Sequence, residues 1–208
     1  MSVAPLGPTA DNRAMDVFLE TERLLLRRFT AADVDNLVDL DNDPQVMHFI
    51  TGGRGTSVQE TRDEVLPAFL GYYDRYPGYG FWAVMEKSTG DFLGWFHLRP
   101  APDGGRPSEP ELGYRLTRSA WGKGYATEAA CAVLHFGFSH IGLHRISASC
   151  VADNTGSAHV LEKLGMQQEG RLRENGHYKG RWWDTLLYAI LYEEWHALFN
   201  DLSLQQNV

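Results

Sequence analysis

The sequence predicts one domain of the α/β class, of the α+β type, in which strands and helices are built around a single sheet. Two runs rich in aromatic and β-branched residues, at 80–86 and 92–98, flank a short Ser-Thr-Gly-Asp turn and indicate a β-hairpin. Further along, a strand-like run at 111–116 leads through a glycine-rich turn into a long helical pattern. With 208 residues, of which 43% are hydrophobic, the chain can bury one core without disulfides or a structural metal.

The part of the chain before the hairpin is predicted to hold one strand and three helical stretches. These elements lie at 23–29, 30–40, 45–49 and 57–73. Thr30, with Asp33 three residues later, forms a capping-box pattern that favours a helix start. Pro67 falls inside the last stretch and should disturb it, because proline lacks the N–H that a helix interior uses.

After the hairpin, a polar loop at 100–110 precedes the strand at 111–116. The next helix is predicted from apolar residues that recur on one face, namely Ala126, Ala129, Ala130, Val133, Leu134, Gly137, Phe138 and Ile141. A strand at 145–151, a helix at 154–163 and strands near 167–172 and 185–191 complete the order.

We expect a flexible N-terminal tail over 1–17, a single domain over 18–200 and a short C-terminal tail over 201–208. No run of 18 apolar residues occurs, so we expect a soluble, cytoplasmic protein without a membrane partner. Cys131 and Cys150 lie in apolar runs without metal-ligand spacing, as reduced buried thiols do. The net charge of -8 argues against general nucleic-acid binding.

Two glycines, Gly122 and Gly124, stand at the start of the long helix. A helix start exposes backbone N–H groups that attract an anion. Glycine has no Cβ, so the backbone can approach a pyrophosphate closely, and Lys123 adds a cation on the same turn. An ordinary tight strand-to-helix turn has the same pattern, so this loop alone does not assign a ligand.

Two other phosphate-binding loops fit the segment poorly. A nucleotide P-loop needs a glycine where Thr117 stands and a hydroxyl where Gly124 stands. A dinucleotide fingerprint needs a glycine where Thr127 stands, and it should follow an early strand.

Four segments follow one another between residues 19 and 191. They read LETERLLLRRFTAAD, ELGYRLTRSAWGKGYATEAA, HRISASCVADNTGSAHVLEKLGMQQEGRLRENGHYKGRWWD and TLLYAIL. In these segments the chain resembles the GNAT acetyltransferase superfamily, and within it the RimJ/RimL-like branch that includes ribosomal-protein N-terminal acetyltransferases. One departure is Ser119, which stands where the superfamily usually has Gln or Arg and removes one side-chain contact to phosphate.

The resemblance implies a GNAT fold, with a mixed, mostly antiparallel, twisted sheet of about seven strands flanked by helices. The sheet would splay beside the 111–116 strand, where acetyl-CoA binds. The pantetheine arm would pair with the free edge of that strand near Tyr114 and Leu116, as an added strand does. The pyrophosphate would be held at the loop and the helix start, by Trp121, Gly122, Lys123, Gly124, Tyr125 and Ala126.

Acetyl transfer to an amine needs a neutral amine, stabilisation of an oxyanion and a proton for the departing thiolate. An alkyl amine is mostly protonated at pH 7, so a group must accept a proton, and Glu111 is the leading candidate with Glu109 as its competitor. A solvated glutamate at a strand end is the alternative interpretation. The amide of Tyr114 or of Leu116 could stabilise the oxyanion, and the sequence does not choose between them.

The tyrosine that many superfamily members use as the acid is replaced by Leu161. Asn154 and Ser157 match the RimJ/RimL pattern instead, which implies that Ser157 is a catalytic residue near the sulfur and that both residues contact coenzyme A. The alternative is structural, with Asn154 as a helix N-cap and Ser157 as a first-turn hydroxyl.

The acceptor groove of the family often closes between the last two strands. The residues between the predicted strands there are Tyr178, Arg181, Trp182, Trp183 and Asp184. We expect Tyr178 and Trp183 to contact the substrate, although core packing is the ordinary role of tryptophan.

No metal is expected, because the eight histidines show no paired ligand spacing; His135 and His140, for example, are five residues apart. The sequence therefore predicts an N-acetyltransferase that transfers the acetyl group from acetyl-CoA to a primary amine, by direct attack in a ternary complex. The expected acceptor is an α-amine at a protein N-terminus. The alternatives are a small amine, such as a polyamine or an antibiotic, and a non-catalytic acyl-CoA-binding regulatory domain; a homodimer stays open.

Overall fold

The computed structural model describes residues 16–100 and 110–205, with side chains described as far as Leu198. Within these residues, one sheet contains β1 (Val17–Glu20), β2 (Leu24–Arg28), β3 (Gly80–Glu86), β4 (Phe92–Pro100), β5 (Pro110–Leu116), β6 (Arg145–Val151), β7 (Gln167–Tyr178) and β8 (Arg181–Leu191). The α-helices of the same part are α1 (Val34–Asp41), α2 (Val58–Glu60), α3 (Leu66–Arg75), α4 (Tyr125–Phe136), α5 (Thr155–Lys163) and α6 (Tyr192–Gln205).

The strands are ordered β1-β2-β3-β4-β5-β6-β8-β7 across the sheet. All neighbours run antiparallel except β5 and β6, which are parallel and pair only at Glu111 and Ser147. Beyond that pair the sheet opens, which confirms the predicted mostly antiparallel sheet splayed beside 111–116. The sheet has eight strands rather than about seven, because the four-residue β1 is too short to show a clear alternation in the sequence.

The middle strands are buried on both faces, and successive residues alternate between two cores. Trp82 and Phe96 belong to the core that includes α4 and α5. Phe81 and Trp95 belong to the core that includes α1 and α3. This double coverage explains why β3 and β4 read as nearly continuous apolar runs.

Residues 45–49, predicted as a helical stretch, form a series of turns instead. The carbonyl oxygen of Met47 accepts the N–H groups of Ile50, Thr51 and Gly53 at 3.1, 3.0 and 2.9 Å. Three amides that converge on one carbonyl fold the chain back on itself, and Gly53 permits this with a φ of 87°. The helical prediction was therefore wrong at this place.

The two flanking helical predictions are confirmed with altered boundaries. A capping box joins Thr30 and Asp33, and a 3-10 turn, Ala31–Asp33, precedes α1. The later helical segment continues to Arg75, and a π-helical turn, Thr61–Val65, lies directly before Leu66 and Pro67. This irregular turn is the disturbance that proline was expected to cause.

The last two strands are longer than predicted. Lys179 and Gly180 have φ values of 52° and 68° and form a two-residue hairpin turn between β7 and β8. The residues expected between the strands, Tyr178, Arg181, Trp182, Trp183 and Asp184, therefore lie within them. The strand β8 leads into α6, which was not predicted and which contains the expected domain boundary at residue 200.

Candidate active site

The gap between β5 and β6 holds a cavity of about 390 Å³. Because the two strands pair only at Glu111 and Ser147, the backbone edge of β5 beyond Glu111 is not covered by β6. The residues that line the cavity are Phe49, Ile50, Trp95, His97, Arg99, Glu111, Leu112, Gly113, Tyr114, Arg115, Ala148, Ser149, Ser157 and Leu161.

The lining comes from both faces of the sheet. On one face, which we call the α5 side, the Tyr114 hydroxyl lies 3.0 Å from the hydroxyl of Ser157 on α5. On the other face, which we call the α1 side, the Arg115 guanidinium pairs with Asp41 of α1. Neighbouring side chains of a strand point to opposite faces. The cavity therefore joins the two faces through the opening in the sheet.

The predicted phosphate loop has two glycines with positive φ and open space outside them. Gly122 and Gly124 have φ values of 71° and 82°, which disfavour any residue with a side chain. A Cβ at Gly122 would meet no atom within 4 Å, and one at Gly124 would meet only the Arg23 guanidinium at 3.4 Å, so the space outside the loop is open. Gly124 caps α4 without a side-chain hydrogen bond, which leaves the amides of the first turn free of a protein cap.

Arg23 tethers this loop from the start of β2, and sequence reasoning did not assign it a role. Its guanidinium donates to the Lys123 carbonyl oxygen at 3.0 Å and to a Glu128 carboxylate oxygen at 2.6 Å. It also lies 4.5 Å from the ring centroid of Tyr125. The hydroxyl of Tyr125 donates to Glu86, and this hydrogen bond lowers the pKa of that carboxyl.

Trp121 and Leu116 connect the loop to the end of β5. The indole N–H of Trp121 donates to the Leu116 carbonyl oxygen at 2.9 Å, while the side chain of Trp121 remains largely exposed. The side chain of Leu116 is buried in the core, so only its backbone is available to a ligand.

The start of α5 brings Asn154 and Ser157 to the α5 side of the cavity. Asn154 accepts a hydrogen bond from the Ser157 N–H at 3.1 Å and is therefore the N-cap of the helix. The Ser157 hydroxyl is paired with that of Tyr114, and burial raises the pKa of Tyr114 to about 12. Leu161 is buried beside them in the cavity wall and supplies no proton. The hydroxyl groups at this end of the cavity thus come from Tyr114 and Ser157.

Glu111 lies at the point where β5 and β6 separate. One carboxylate oxygen is 3.3 Å from the Arg99 guanidinium, and the other accepts a hydrogen bond from the Ser149 hydroxyl at 3.1 Å. The predicted base therefore lines the cavity with both oxygens engaged. Its competitor, Glu109, lies outside the described residues.

The α1 side contains polar residues that sequence reasoning missed. Among the described residues, the buried nitrogens without a hydrogen-bond partner include Trp95 Nε1, both ring nitrogens of His97, Arg99 Nε and Arg115 Nε. All four residues line the cavity. The available signal was the presence of His97 and Arg99 at alternate positions of an otherwise apolar strand.

The predicted substrate residues of the β7–β8 hairpin lie near the cavity but do not line it. The rings of Tyr178 and Trp183 stack with centroids 5.0 Å apart. Trp183 also meets Phe49 edge-on at 5.8 Å, and Phe49 is part of the cavity lining. The structure therefore brings the two residues close to the α1 side but not into the lining itself.

No group of three or more His, Cys, Asp or Glu side chains is placed to hold a metal ion within residues 16–100 and 110–205. In the same ranges, none of the helices combines the length and the apolar character needed to cross a membrane.

Comparison with known proteins identifies the class. Residues 23–167 match the family described as acetyltransferase (GNAT) domain. The chain is 32% identical over 183 residues to the uncharacterised N-acetyltransferase p20 of Bacillus licheniformis, which covers 85% of this chain and 97% of the relative. A solved GNAT-family acetyltransferase from Bacillus anthracis has a TM-score of 0.72 and 30% identity, and the match covers 84% of this chain and 98% of that one.

A more distant structure shares the fold. RimL, described as a ribosomal L7/L12 α-N-protein acetyltransferase in complex with coenzyme A, has a TM-score of 0.71 at 20% identity, over 82% of this chain and 95% of that one. The chain belongs to the GNAT acetyltransferase family, which confirms the resemblance carried by the four segments. It is an acetyl-CoA-dependent N-acetyltransferase.

Proposed function

We propose that the acceptor is the α-amine of a peptide or protein N-terminus, which attacks acetyl-CoA directly within a ternary complex. The observation that carries this proposal is the set of unpartnered donors on the α1 side, Trp95 Nε1, Arg99 Nε and Arg115 Nε. Indole and guanidinium N–H groups only donate hydrogen bonds. An N-terminal residue carries carbonyl oxygens within a few bonds of its amine, and these oxygens can accept from such donors.

A polyamine matches this lining less well. In its protonated form it offers donors and positive charge, and it has no atom that accepts a hydrogen bond. Glu111 is the carboxylate among the described lining residues, and it is already paired with Arg99. Arg115 adds a further positive charge, which is balanced by Asp41 behind it. A polycation would therefore meet too few unpaired anions.

Acetyl-CoA is proposed to bind on the α5 side. The open space outside Gly122 and Gly124 and the uncapped start of α4 support a diphosphate at this turn. Lys123, Tyr125 and Ala126 complete the turn, and Trp121 flanks it. The uncovered edge of β5 supports the pairing of the pantetheine arm with the backbone near Tyr114 and Leu116.

The proposed chemical roles follow from the positions around the cavity. Glu111 takes up a proton from the entering ammonium through water, and the amide of Tyr114 or Leu116 stabilises the oxyanion. Ser157, in contact with the Tyr114 hydroxyl, donates toward the departing thiolate. Asn154 holds the start of α5, and with it Ser157, beside the coenzyme.

The acceptor class can be tested by thiol release and mass spectrometry with matched amines. One peptide would carry a free N-terminus without lysine, a second would be blocked at the N-terminus with one internal lysine, and the third substrate would be spermidine. We expect the free N-terminus to exceed spermidine at least about 100-fold in kcat/KM, which corresponds to about 2.7 kcal/mol in transition-state binding. Comparable turnover of spermidine, or acetylation confined to the internal lysine, would contradict the proposal.

Coenzyme binding is tested separately by thermal unfolding. Acetyl-CoA at 100 times its dissociation constant should stabilise the fold by about 2.7 kcal/mol, while ATP and NADH should leave the midpoint unchanged. If acetyl-CoA stabilises the fold but the free N-terminus is not acetylated, the proposed acceptor is wrong. If acetyl-CoA does not stabilise the fold, the proposed coenzyme is wrong.

A further inference from the structure

His97 lies in the wall of the cavity without a hydrogen-bond partner among the described residues. It is 6% exposed, and neither Nδ1 nor Nε2 is bonded. Its ring contacts are aromatic, with Trp95 at 5.7 Å and Phe81 at 5.1 Å between centroids. Buried polar groups are nearly always paired in folded proteins, and an apolar residue would fill this place without leaving two nitrogens unsatisfied. The arrangement therefore points to a ligand that is bonded in the working complex.

The ring of His97 reaches over the strand that borders the opening. His97 on β4 pairs with Gly113 on β5. A Cβ at residue 113 would lie 2.4 Å from Nε2 of His97, so glycine is required for the ring to occupy this place. Gly113 is two residues from Glu111, and both line the cavity. Nε2 is thus held above the middle of β5, on the face that the acceptor would enter.

The charged groups around the ring favour its neutral form. Arg99 on β4 and Arg115 on β5 are nearby, and each is paired, with Glu111 and with Asp41 of α1 respectively. Burial, followed by the charges of Arg99 and Arg115, holds the pKa of His97 well below its ordinary value of 6.5. The imidazole therefore keeps a free lone pair at neutral pH. Both nitrogens are shielded from water in the absence of ligand, and catalytic hydrogen bonds often form only in the substrate complex.

An amine that enters as ammonium must lose two protons during acetyl transfer. The first leaves before the attack, and the proposed function assigns its uptake to Glu111 through water. Resting on that function, we propose that Nε2 of His97 accepts the second proton, from the nitrogen that attacks the thioester. Glu111, whose two oxygens are bonded to Arg99 and Ser149, remains the acceptor of the first proton and also orients the amine.

The step balances as follows. The nitrogen lone pair forms the C–N bond with the carbonyl carbon while the π pair of the C=O bond moves onto oxygen, and the N–H proton passes to Nε2 while its electron pair stays on nitrogen. The oxygen pair then re-forms the C=O bond as the thiolate leaves. The C–S bond breaks with its electrons on sulfur, and the thiolate takes a proton from the Ser157 hydroxyl, which is replenished from water. The imidazolium releases its proton to water. Two protons thus leave the ammonium, the first to Glu111 and the second to His97, and one is taken up by the thiolate, so that one proton is released overall. The nitrogen becomes strongly acidic once its lone pair enters the new bond, so a weakly basic imidazole can accept this proton.

The first test is His97→Gln, with the exposed His144→Gln as its control. We expect His97→Gln to lower kcat by about 100-fold or more, the range for a lost proton-transfer group, with the acetyl-CoA thermal shift retained. His144→Gln should keep the wild-type kcat, because His144 lies outside the cavity lining. A kcat within about threefold of wild type in His97→Gln would overturn the role of His97. The proposed acetyl transfer to an N-terminal amine would be unaffected by this result.

The second test separates chemistry from packing. Imidazoles of similar size and graded pKa are added to His97→Ala, and the recovered rate should rise with the pKa of the added base. Equal rescue by all of them, or none, would overturn the proposal. If the wild-type enzyme acetylates no amine although it binds acetyl-CoA, the proposed function fails, and the role of His97 with it.

A third measurement uses the wild-type protein alone, so it does not depend on how the variants fold. In ¹⁵N spectra of labelled histidine, the ring of His97 should stay neutral as the pH is lowered through its ordinary pKa of 6.5, because burial and the charges of Arg99 and Arg115 hold its pKa well below that value. Its Nε2 signal should shift when coenzyme A and an N-terminal peptide are both bound. An unmoved signal in that complex would overturn the proposal.

Discussion

The two sides of the cavity are built in different ways. On the α5 side, the start of α5 lines the cavity, and the proposed coenzyme surface continues outside the lining to the turn before α4. These two continuous segments are held in place by Arg23, by Asn154 and by the Tyr114–Ser157 pair. The α1 side is assembled from β4, β5 and the turns after α1, and it contains buried nitrogens without partners. A coenzyme that is the same in every turnover can be bound by a preformed surface. The proposed acceptor would bond to the buried nitrogens that have no partner among the described residues.

The largest effect is expected from a substitution that should weaken coenzyme binding and leave the acceptor side of the cavity unchanged. Gly124→Val places a branched side chain in the space proposed for phosphate and forces it to a φ of 82°. We expect acetyl-CoA affinity to fall at least about 100-fold in calorimetry, or about 2.7 kcal/mol.

The matched control is Gly142→Val, because Gly142 also has a positive φ, 76°, and open space around its missing Cβ. Both variants should lose about 1–2 kcal/mol of stability from backbone strain. Only Gly124→Val should lose the coenzyme, and equal affinities in the two variants would remove the loop from the site.

Glu111→Gln should lower turnover rather than coenzyme affinity. It removes the proposed proton acceptor but not the coenzyme surface, so we expect kcat to fall by about 100-fold while acetyl-CoA affinity is retained. The control is Glu169→Gln, since Glu169 is also paired with an arginine, Arg145, but lies outside the cavity lining. If Glu111→Gln weakens acetyl-CoA binding and leaves turnover of the bound complex intact, the division between the two sides is wrong.

The smallest effect is expected from Arg23→Gln, which loosens the support of the phosphate loop without touching the proposed ligand groups. We expect acetyl-CoA affinity to fall by about tenfold, close to 1.4 kcal/mol. Arg28→Gln is the control, because Arg28 also combines an ion pair, with Asp16, and a position over an aromatic ring, that of Tyr73, away from the loop. Equal affinity in both variants would show that the loop holds its shape unaided.

The difference between the α5 side and the α1 side also explains which features could be predicted from the sequence. The loop at Gly122 and Gly124 and the cap at Asn154 depend on neighbours within a few residues, so residue type and spacing reveal them. The hairpin and the opening beside β5 followed, respectively, from local pattern and from resemblance to the family.

The rest depends on contacts between distant segments. Arg23 lies about one hundred positions before Lys123, and the pairing of His97 with Gly113 exists only because β4 and β5 are neighbours. The turns after α1 were predicted as a helical stretch from the local sequence, but the three amides that meet at the Met47 carbonyl decide the fold. Tyr178 and Trp183 were predicted to lie between two shorter strands. In the structure the turn consists only of Lys179 and Gly180, so both residues lie within the strands.

The most direct test of the account is a crystal structure of the acetyl-CoA complex. The account predicts a diphosphate within hydrogen-bond distance of the amides at the start of α4, with the acetyl group at Gly113 in the opening between β5 and β6. A diphosphate bound elsewhere, or an acetyl group that cannot be reached from the α1 side, would contradict it.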